Sequence, residues 1–371
     1  MKIHCSKEDL AHGVQTIQSA LSARTTLPIL LNFLLETENS KVKVISTDLE
    51  MGVKHYIGAE VESDGSITIP AKKFSDILHS LPDGQEVELS VEAGGKVQLK
   101  CGRSRFGIIG APKSEYPILP EFNKQSAFEA SAGEIGDMVK KTIFAASSDE
   151  TRHVLNGVFW SAKNGNLEMV ATDGRRLAIV GRKNAAKDKN FQVIVPTKIL
   201  GELLRLLTHH EVGINSEEKI IIGVTENQIA FQYKETTLLS RLVGGTFPHY
   251  EQVIPSKKDL SVIIENKDLL AVTRRASLCA IERGGSVKYT LRQGVLQVAA
   301  SSQNLEFNDE LPVEYTGDEF QIAFNPQFVM EALKHIDSQK VSLGLTTPVN
   351  PALLEPVNGG DYRFVVMPMR I

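Results

Sequence analysis

A chain of 371 residues, 42% hydrophobic and 23% charged, is globular and too long for a single core of ordinary size, so two or three domains are expected. No apolar run of about 18 residues could span a bilayer, and Met1–Cys5 lacks the apolar core of a signal peptide, which makes a cytoplasmic location the expectation. The formal net charge of −4 does not advertise a nucleic-acid binder, although a net charge says nothing about how charge is spread over surfaces.

Taken in chain order, three kinds of element recur. A short strand running into a capped amphipathic helix is predicted at Lys2–Cys5 with Ser6 as cap, at Ala127–Ala130 with Ser131, and at Val262–Glu265 with Asn266. Ser131 and Glu134 have capping-box spacing, and Ser6 with Asp9 is a weaker version. Four residues past each cap stand Leu10, Ile135 and Leu270; Val14, Ile17 and Leu21 continue one apolar stripe, and Met138, Val139, Thr142 and Ala146 another. Next comes a strand, a proline and a helix, at Ile69-Pro70, Val195-Pro196 and Asn325-Pro326, with each proline suited to the first helical turn. Phe74, Ile77 and Leu81 match Leu200, Leu203 and Leu207, and Met330 with Leu333 continues the pattern.

The closing element is Ser104-Arg105-Phe106 leading to Tyr116-Pro117, then Ser240-Arg241-Leu242 leading to Phe247-Pro248, then Tyr362-Arg363-Phe364. Linkers follow the first two around Leu119–Gln125 and Val253–Lys258, while Met367–Ile371 is expected to be a free tail. Near the middle, Val170–Val180 reads as a hairpin about an Asp173-Gly174 turn, echoed at Ser46–Gly52. Between these markers lie strands with turn signals such as Gly94-Gly95, Asn164-Gly165 and Gly359-Gly360. The expectation is an α+β protein of three tandem similar domains, 1–120, 121–255 and 256–371, each with two helices and antiparallel sheets.

Patterns for catalysis are lacking. Gly94-Gly95-Lys96 has neither the spacing nor the hydroxyl residue of a phosphate-binding loop, and no GxGxxG, GxSxG or HExxH occurs. His209-His210 lacks a neighbouring acidic or cysteine cluster and reads as a solvated helix end rather than a metal site. Cys5, Cys101 and Cys279 are far apart and odd in number, so they read as packing residues. Neither an enzyme nor a metal or other cofactor is indicated.

Charge is distributed in two suggestive ways. Basic residues mark helices at similar places in successive repeats: Lys72, Lys73, Lys140, Lys141, Lys198, Arg205, Lys267, Arg274 and Arg275. Were those helices to share one side of an assembly, their charges could track a phosphate backbone without reading sequence. Residues 303–319 carry Glu306, Asp309, Glu310, Glu314, Asp318 and Glu319 and no base, whereas 96–105 carry Lys96, Lys100, Arg103 and Arg105 and no acid. Complementary patches on the first and last domains suit a head-to-tail contact.

The threefold repeat, Arg24–Leu30 (RTTLPIL), Ala171–Ala178 (ATDGRRLA) and the terminal Val366–Ile371 (VMPMRI) together resemble the bacterial DNA polymerase III β subunit, the DNA polymerase sliding clamp family. The resemblance implies a DNA clamp fold in which two chains join head to tail as a closed six-domain ring, with helices on the inner face and sheets outside. It further implies encirclement of double-stranded DNA, and docking of polymerase and clamp-loader subunits through a peptide-binding groove. By motif position that groove would include Leu155, Thr172, Gly174, Arg175, Arg176 and Leu177, with Pro248 and Val253 from the linker and Val365, Met367, Pro368, Met369 and Arg370 from the tail. Arg24, Arg152, Lys198 and Arg205 would face the DNA, and His153 stands where the family can carry an aromatic template contact. Phe106, Leu278 and Cys279 would form the apolar part of the homodimer interface, with Arg103 and Arg105 facing Glu306, Asp309 and Glu310. Gln252 departs from the family, which often has a basic residue there. The alternative is a repeat-built, peptide-binding scaffold that does not encircle DNA.

Overall fold

Two long antiparallel sheets decide the architecture, and each runs across a repeat boundary. In a computed structural model, residues 1–21, 25–122, 127–214, 216–255, 259–280, 285–357 and 359–370 are described. One eight-stranded sheet has the order Ala127–Ser131, Lys219–Val224, Gln228–Tyr233, Thr236–Arg241, Met51–Ile57, Lys41–Thr47, Asn32–Glu38, Ser66–Pro70. Its seam between repeats is the pairing of Leu238 with Val53 and Leu239 with Gly52. The other has the order Phe191–Pro196, Gly157–Lys163, Gly165–Thr172, Arg176–Ala186, Tyr362–Val366, Ala352–Pro356, Lys340–Leu345, Leu260–Glu265, with Ala178 paired to Phe364 at its seam. The middle repeat is thereby shared out, and the chain divides into two compact units, 1–133 with 198–242, and 134–197 with 243–371.

A five-stranded sheet in the first unit ends on Ser104–Ile109, and a four-stranded sheet in the second ends on Glu306–Pro312. Six helices are described: α1 (Lys7–Ile17), α2 (Ala71–Ser80), α3 (Ala132–Lys140), α4 (Thr197–His209), α5 (Asn266–Ser277) and α6 (Pro326–Lys334). Each presents an apolar stripe to a sheet, as Leu10, Val14 and Ile17 do on α1 and Leu200, Leu203 and Leu207 on α4. α1 also packs on α2, and α5 on α6.

Helix starts follow local chemistry, with instructive shifts. Ser6 caps α1, its hydroxyl accepting from the Asp9 N–H at 3.0 Å. Asn266 does not cap α5. The cap is Glu265, and the Asn266 amide instead donates to the carbonyls of Leu333 and Ile336 at the end of α6. Counting four residues from the earlier cap buries Leu269 at 1% exposure, while Leu270 stays half-buried. Helix α3 stops at Lys140, so Thr142 lies beyond it, its hydroxyl donating back to the Met138 carbonyl. Only Pro326 stands in a first helical turn; Pro70 and Pro196 close the preceding strands, where they pair with Asn32 and Gly157.

All three cysteines are buried, and burial pushes the Cys5 thiol up to about 12. The expected free tail is tied down: Met367 N–H donates to the Arg175 carbonyl at 2.9 Å and Met369 N–H to the Ala323 carbonyl at 2.7 Å. The first bond extends the ladder of the preceding strand, and the second is an isolated bridge to Phe320–Phe324 of the four-stranded sheet. Among the described residues no helix is long and apolar enough to cross a membrane.

The two echoed turns share one hydrogen-bond pattern. In the first, Thr47 Oγ1 donates to the Met51 carbonyl and accepts from Leu49 N–H, while Asp48 Oδ1 accepts from the N–H groups of Glu50 and Met51. In the second, Thr172, Gly174, Asp173, Arg175 and Arg176 repeat every bond. Gly174 has φ of 84° and Leu49 one of 78°, a region that favours glycine. The copies differ in what covers them. At the position of Leu177 the first copy has Gly52, and Leu119 of the linker fills the space, its Cδ2 only 2.6 Å from where a Cβ on residue 52 would stand. Asp48→Ala removes the acceptor of two N–H groups, and a loss of about 1–3 kcal/mol in urea unfolding is expected; an unchanged midpoint would mean the turn holds itself.

Candidate functional site

Alternation along four neighbouring strands brings one apolar face together. Leu177 and Ile179, Val170, Val365 and Leu353 are buried in a cluster with Ile194 and Phe247. Leu155, Val154, Phe159, Val243, Tyr250 and Ile254 pack on it half-buried, with the Phe159 and Phe247 rings stacked at 5.1 Å. The structure therefore joins Leu155, Leu177 and Val365, and supplies a floor that motif position alone did not name. The missing signal was period-two spacing, Leu177 to Ile179 and Arg363 to Val365. Beyond Ile179 the same face opens into a cavity of about 320 Å³ lined by Glu168, Lys183, Asp361 and Arg363.

Around this floor, Thr172 is half-buried, Gly174, Arg175 and Pro248 are exposed, and Val253 is 38% exposed. Met367, Pro368 and Met369 are half-buried and Arg370 is exposed. Arg176 is different. Its Nε donates to Asp173 Oδ2 at 3.1 Å, its Nη1 pairs with Glu331 of α6, and its guanidinium lies over the rings of Phe328 at 4.7 Å and Phe144 at 5.5 Å. Burial works against this cation's charge and the Asp173 carboxylate sustains it. Arg176 thus ties the turn to α6. Arg152 Nη1 donates to the Asp173 carbonyl at 3.0 Å, which puts it beside this turn, and His153 is exposed next to it.

Lys198 and Arg205 are engaged as well. Lys198 pairs with Asp48, the aspartate of the echoed turn. Arg205 Nε donates to Glu202 at 2.9 Å and its Nη2 to the Thr16 carbonyl at 3.0 Å. Both remain exposed on α4, whereas Lys141 is buried between Asp137 and Asp337. Arg24 lies outside the described residues. His209 and His210 are not simply solvated: their rings meet His12 at 4.9 Å and Tyr233 at 5.3 Å.

Both terminal strands, Ser104–Ile109 and Glu306–Pro312, leave an outer edge with no partner strand among the described residues. The first edge carries exposed Arg103 and Arg105, half-buried Phe106 and an Ile109 that is 70% exposed. The second carries exposed Glu306 and Glu310, while Asp309 is taken by Arg275 at 2.6 Å, which holds its carboxyl below the usual range. Leu278 is 60% exposed, but Cys279 next to it is buried at 4%.

Comparison with known proteins accounts for this architecture. The N-terminal, central and C-terminal domains described for the DNA polymerase III beta subunit match residues 1–120, 131–249 and 251–370. The chain belongs to the DNA polymerase III beta subunit family. The beta sliding clamp of Pseudomonas aeruginosa is 32% identical over 375 residues and that of Chlamydia pneumoniae 30% over 374, with at least 99% of each chain covered. A crystal structure of the P. aeruginosa polymerase III subunit beta superposes with a TM-score of 0.94 at 31% identity, covering 100% of both chains. As a member of the beta subunit family the chain has three tandem domains, and it is a replication processivity factor without a catalytic activity of its own.

Within this family member the Arg176 contacts generate a direct test. Arg176→Ala leaves Asp173 and Glu331 without their cation, and a loss of about 3 kcal/mol in unfolding free energy is expected from breaking a largely buried pair. Arg176→Lys, which lacks the planar fork, should recover only part of it. Wild-type stability in both variants would show that the pair contributes nothing.

Proposed function

We infer that two copies of this chain close head to tail into a ring around duplex DNA and tether a polymerase to it. The observation that carries this reading is the end-to-end match to beta sliding clamps in sequence and structure. The two unpaired edges support the closure. Ser104–Ile109 of one copy would pair with Glu306–Pro312 of the other, with Ile109, Phe106 and Leu278 as apolar contacts and Arg103 and Arg105 opposite Glu306 and Glu310. Rim charges of this kind contribute about 0–1 kcal/mol each, so strand pairing and apolar burial carry the contact. Domain limits at 1–120, 121–255 and 256–371 place each linker between repeats.

Holding DNA by enclosure needs only weak, sequence-blind contacts. Lys198 and Arg205 suit that task because each already has a carboxylate neighbour: a phosphate exchanges with Asp48 or Glu202 instead of meeting a bare cation. Arg24, Arg152 and His153 complete the proposed DNA-facing set. The apolar floor of Leu177, Val365 and Leu155, rimmed by Thr172, Gly174, Arg175, Pro248, Val253 and the tail, fits extended peptides of polymerase and clamp-loader subunits. Adaptable Met367 and Met369 suit partners of varied shape.

Sedimentation at micromolar concentration should give a dimer of about twice 40.7 kDa, with retention on closed circular DNA that is lost on linearisation. A persistent monomer, or retention on linear DNA of equal strength, overturns the ring. Deleting residues 367–371 should weaken a fluorescent peptide carrying a polymerase's docking segment by at least about tenfold, roughly 1.4 kcal/mol, and leave the dimer intact. Unchanged peptide affinity would remove the tail from the groove.

A further inference from the structure

Four histidines form a row where α1 meets α4. His55 Nδ1, on the strand Met51–Ile57, lies 2.9 Å from Thr236 Oγ1. Its ring stands edge-on to His12 of α1 at 5.5 Å, and His12 lies tilted against His209 at the end of α4 at 4.9 Å. His209 meets His210 at 5.4 Å, and His210 meets Tyr233 at 5.3 Å. The close approach depends on Gly13: a Cβ there would sit 2.6 Å from Ile57 Cγ1 and 3.3 Å from His55 Cδ2. The Arg205 bond to the Thr16 carbonyl joins the same two helices.

Neighbouring imidazoles pack well when neutral and repel when adjacent rings are both charged. The groups facing the row do little to offset that repulsion. Asp9 of α1 favours a charge on His12, but Arg205 and His209 of α4 oppose it; Glu235 favours a charge on His55 while His12 and His210 oppose it; Glu218 favours a charge on His210 while Lys234 and two histidines oppose it. Glu202 is already bound to Arg205. Burial is the largest influence on all three rings: it lowers His12 and His210, and takes His55 down to about 4. Folded values below the unfolded value of about 6.5 mean that the opened state binds more protons as pH falls, so packing across the row is lost downward from about pH 6.5.

We propose that this row is a proton-operated latch between α1 and α4, holding the helices together while His12 and His55 are neutral and releasing them on acidification. The latch lies within one chain and does not depend on ring closure. Hydrogen exchange of the full-length protein, corrected for intrinsic rates, tests it. From about pH 7.5 to about pH 5.5, amides of α1 and α4 should lose about tenfold in protection while those of α5 change little. His12→Phe keeps an aromatic ring in the row without a titrating nitrogen, and should make that loss clearly smaller than in the wild type, with His55 and His210 supplying what remains. Wild-type protection that ignores pH, or an equal loss in His12→Phe, overturns the proposal. Independently of any variant, ring-nitrogen NMR of the wild type should find His55 neutral at about pH 6 and His12 titrating below its ordinary value, and ordinary titration of both near about 6.5 would equally overturn it.

Discussion

The apolar floor depends on one antiparallel ladder, the pairing of Arg176–Val180 with Tyr362–Val366. It places Leu177 beside Val365 and Ile179 beside Arg363, so residues almost two hundred positions apart become one floor. It also hands the chain end to Arg175, because the Met367 N–H continues the same series of bonds. A slip of one residue would turn Leu177 and Val365 to the opposite face and dissolve the floor, so the register is held by the burial it creates. The ladder between Thr236–Ser240 and Met51–His55 does the same service in the first unit.

What could be read from the sequence was whatever is encoded locally. Helix starts announce themselves through caps and prolines within three or four residues, and α1 begins where Ser6 says it should. Where a cap residue has a better distant partner the local rule loses, as with Asn266, whose amide is claimed by the carbonyls ending α6 and whose helix shifts by one residue in consequence. The turn at Thr172–Leu177 was legible because its hydrogen bonds close within five residues. The floor beneath it was not, because Val170, Phe247 and Leu353 meet only through strand pairing. The tail was misjudged for the same reason: nothing near Met367 in sequence indicates that Arg175 and Ala323 accept its backbone.

Charge shows the same division. The basic residues were visible as a recurring mark on helices, but their partners were not: Asp48 lies far back in the chain from Lys198, and Asp309 well beyond Arg275. Burial divides these paired cations into those that organise the protein, such as Arg176 and Lys141, and those left exposed on helices, such as Lys198 and Arg205. Pairing also trims the acidic edge strand to Glu306 and Glu310, since Asp309 is spent on its own domain.

The two unmatched sheet edges carry a consequence for assembly errors. A contact between unlike edges is directional, and a chain bearing one of each can add further chains indefinitely unless the rotation at every joint returns to the start. In the proposed head-to-tail assembly, closure and fibre formation would compete through the same hydrogen bonds.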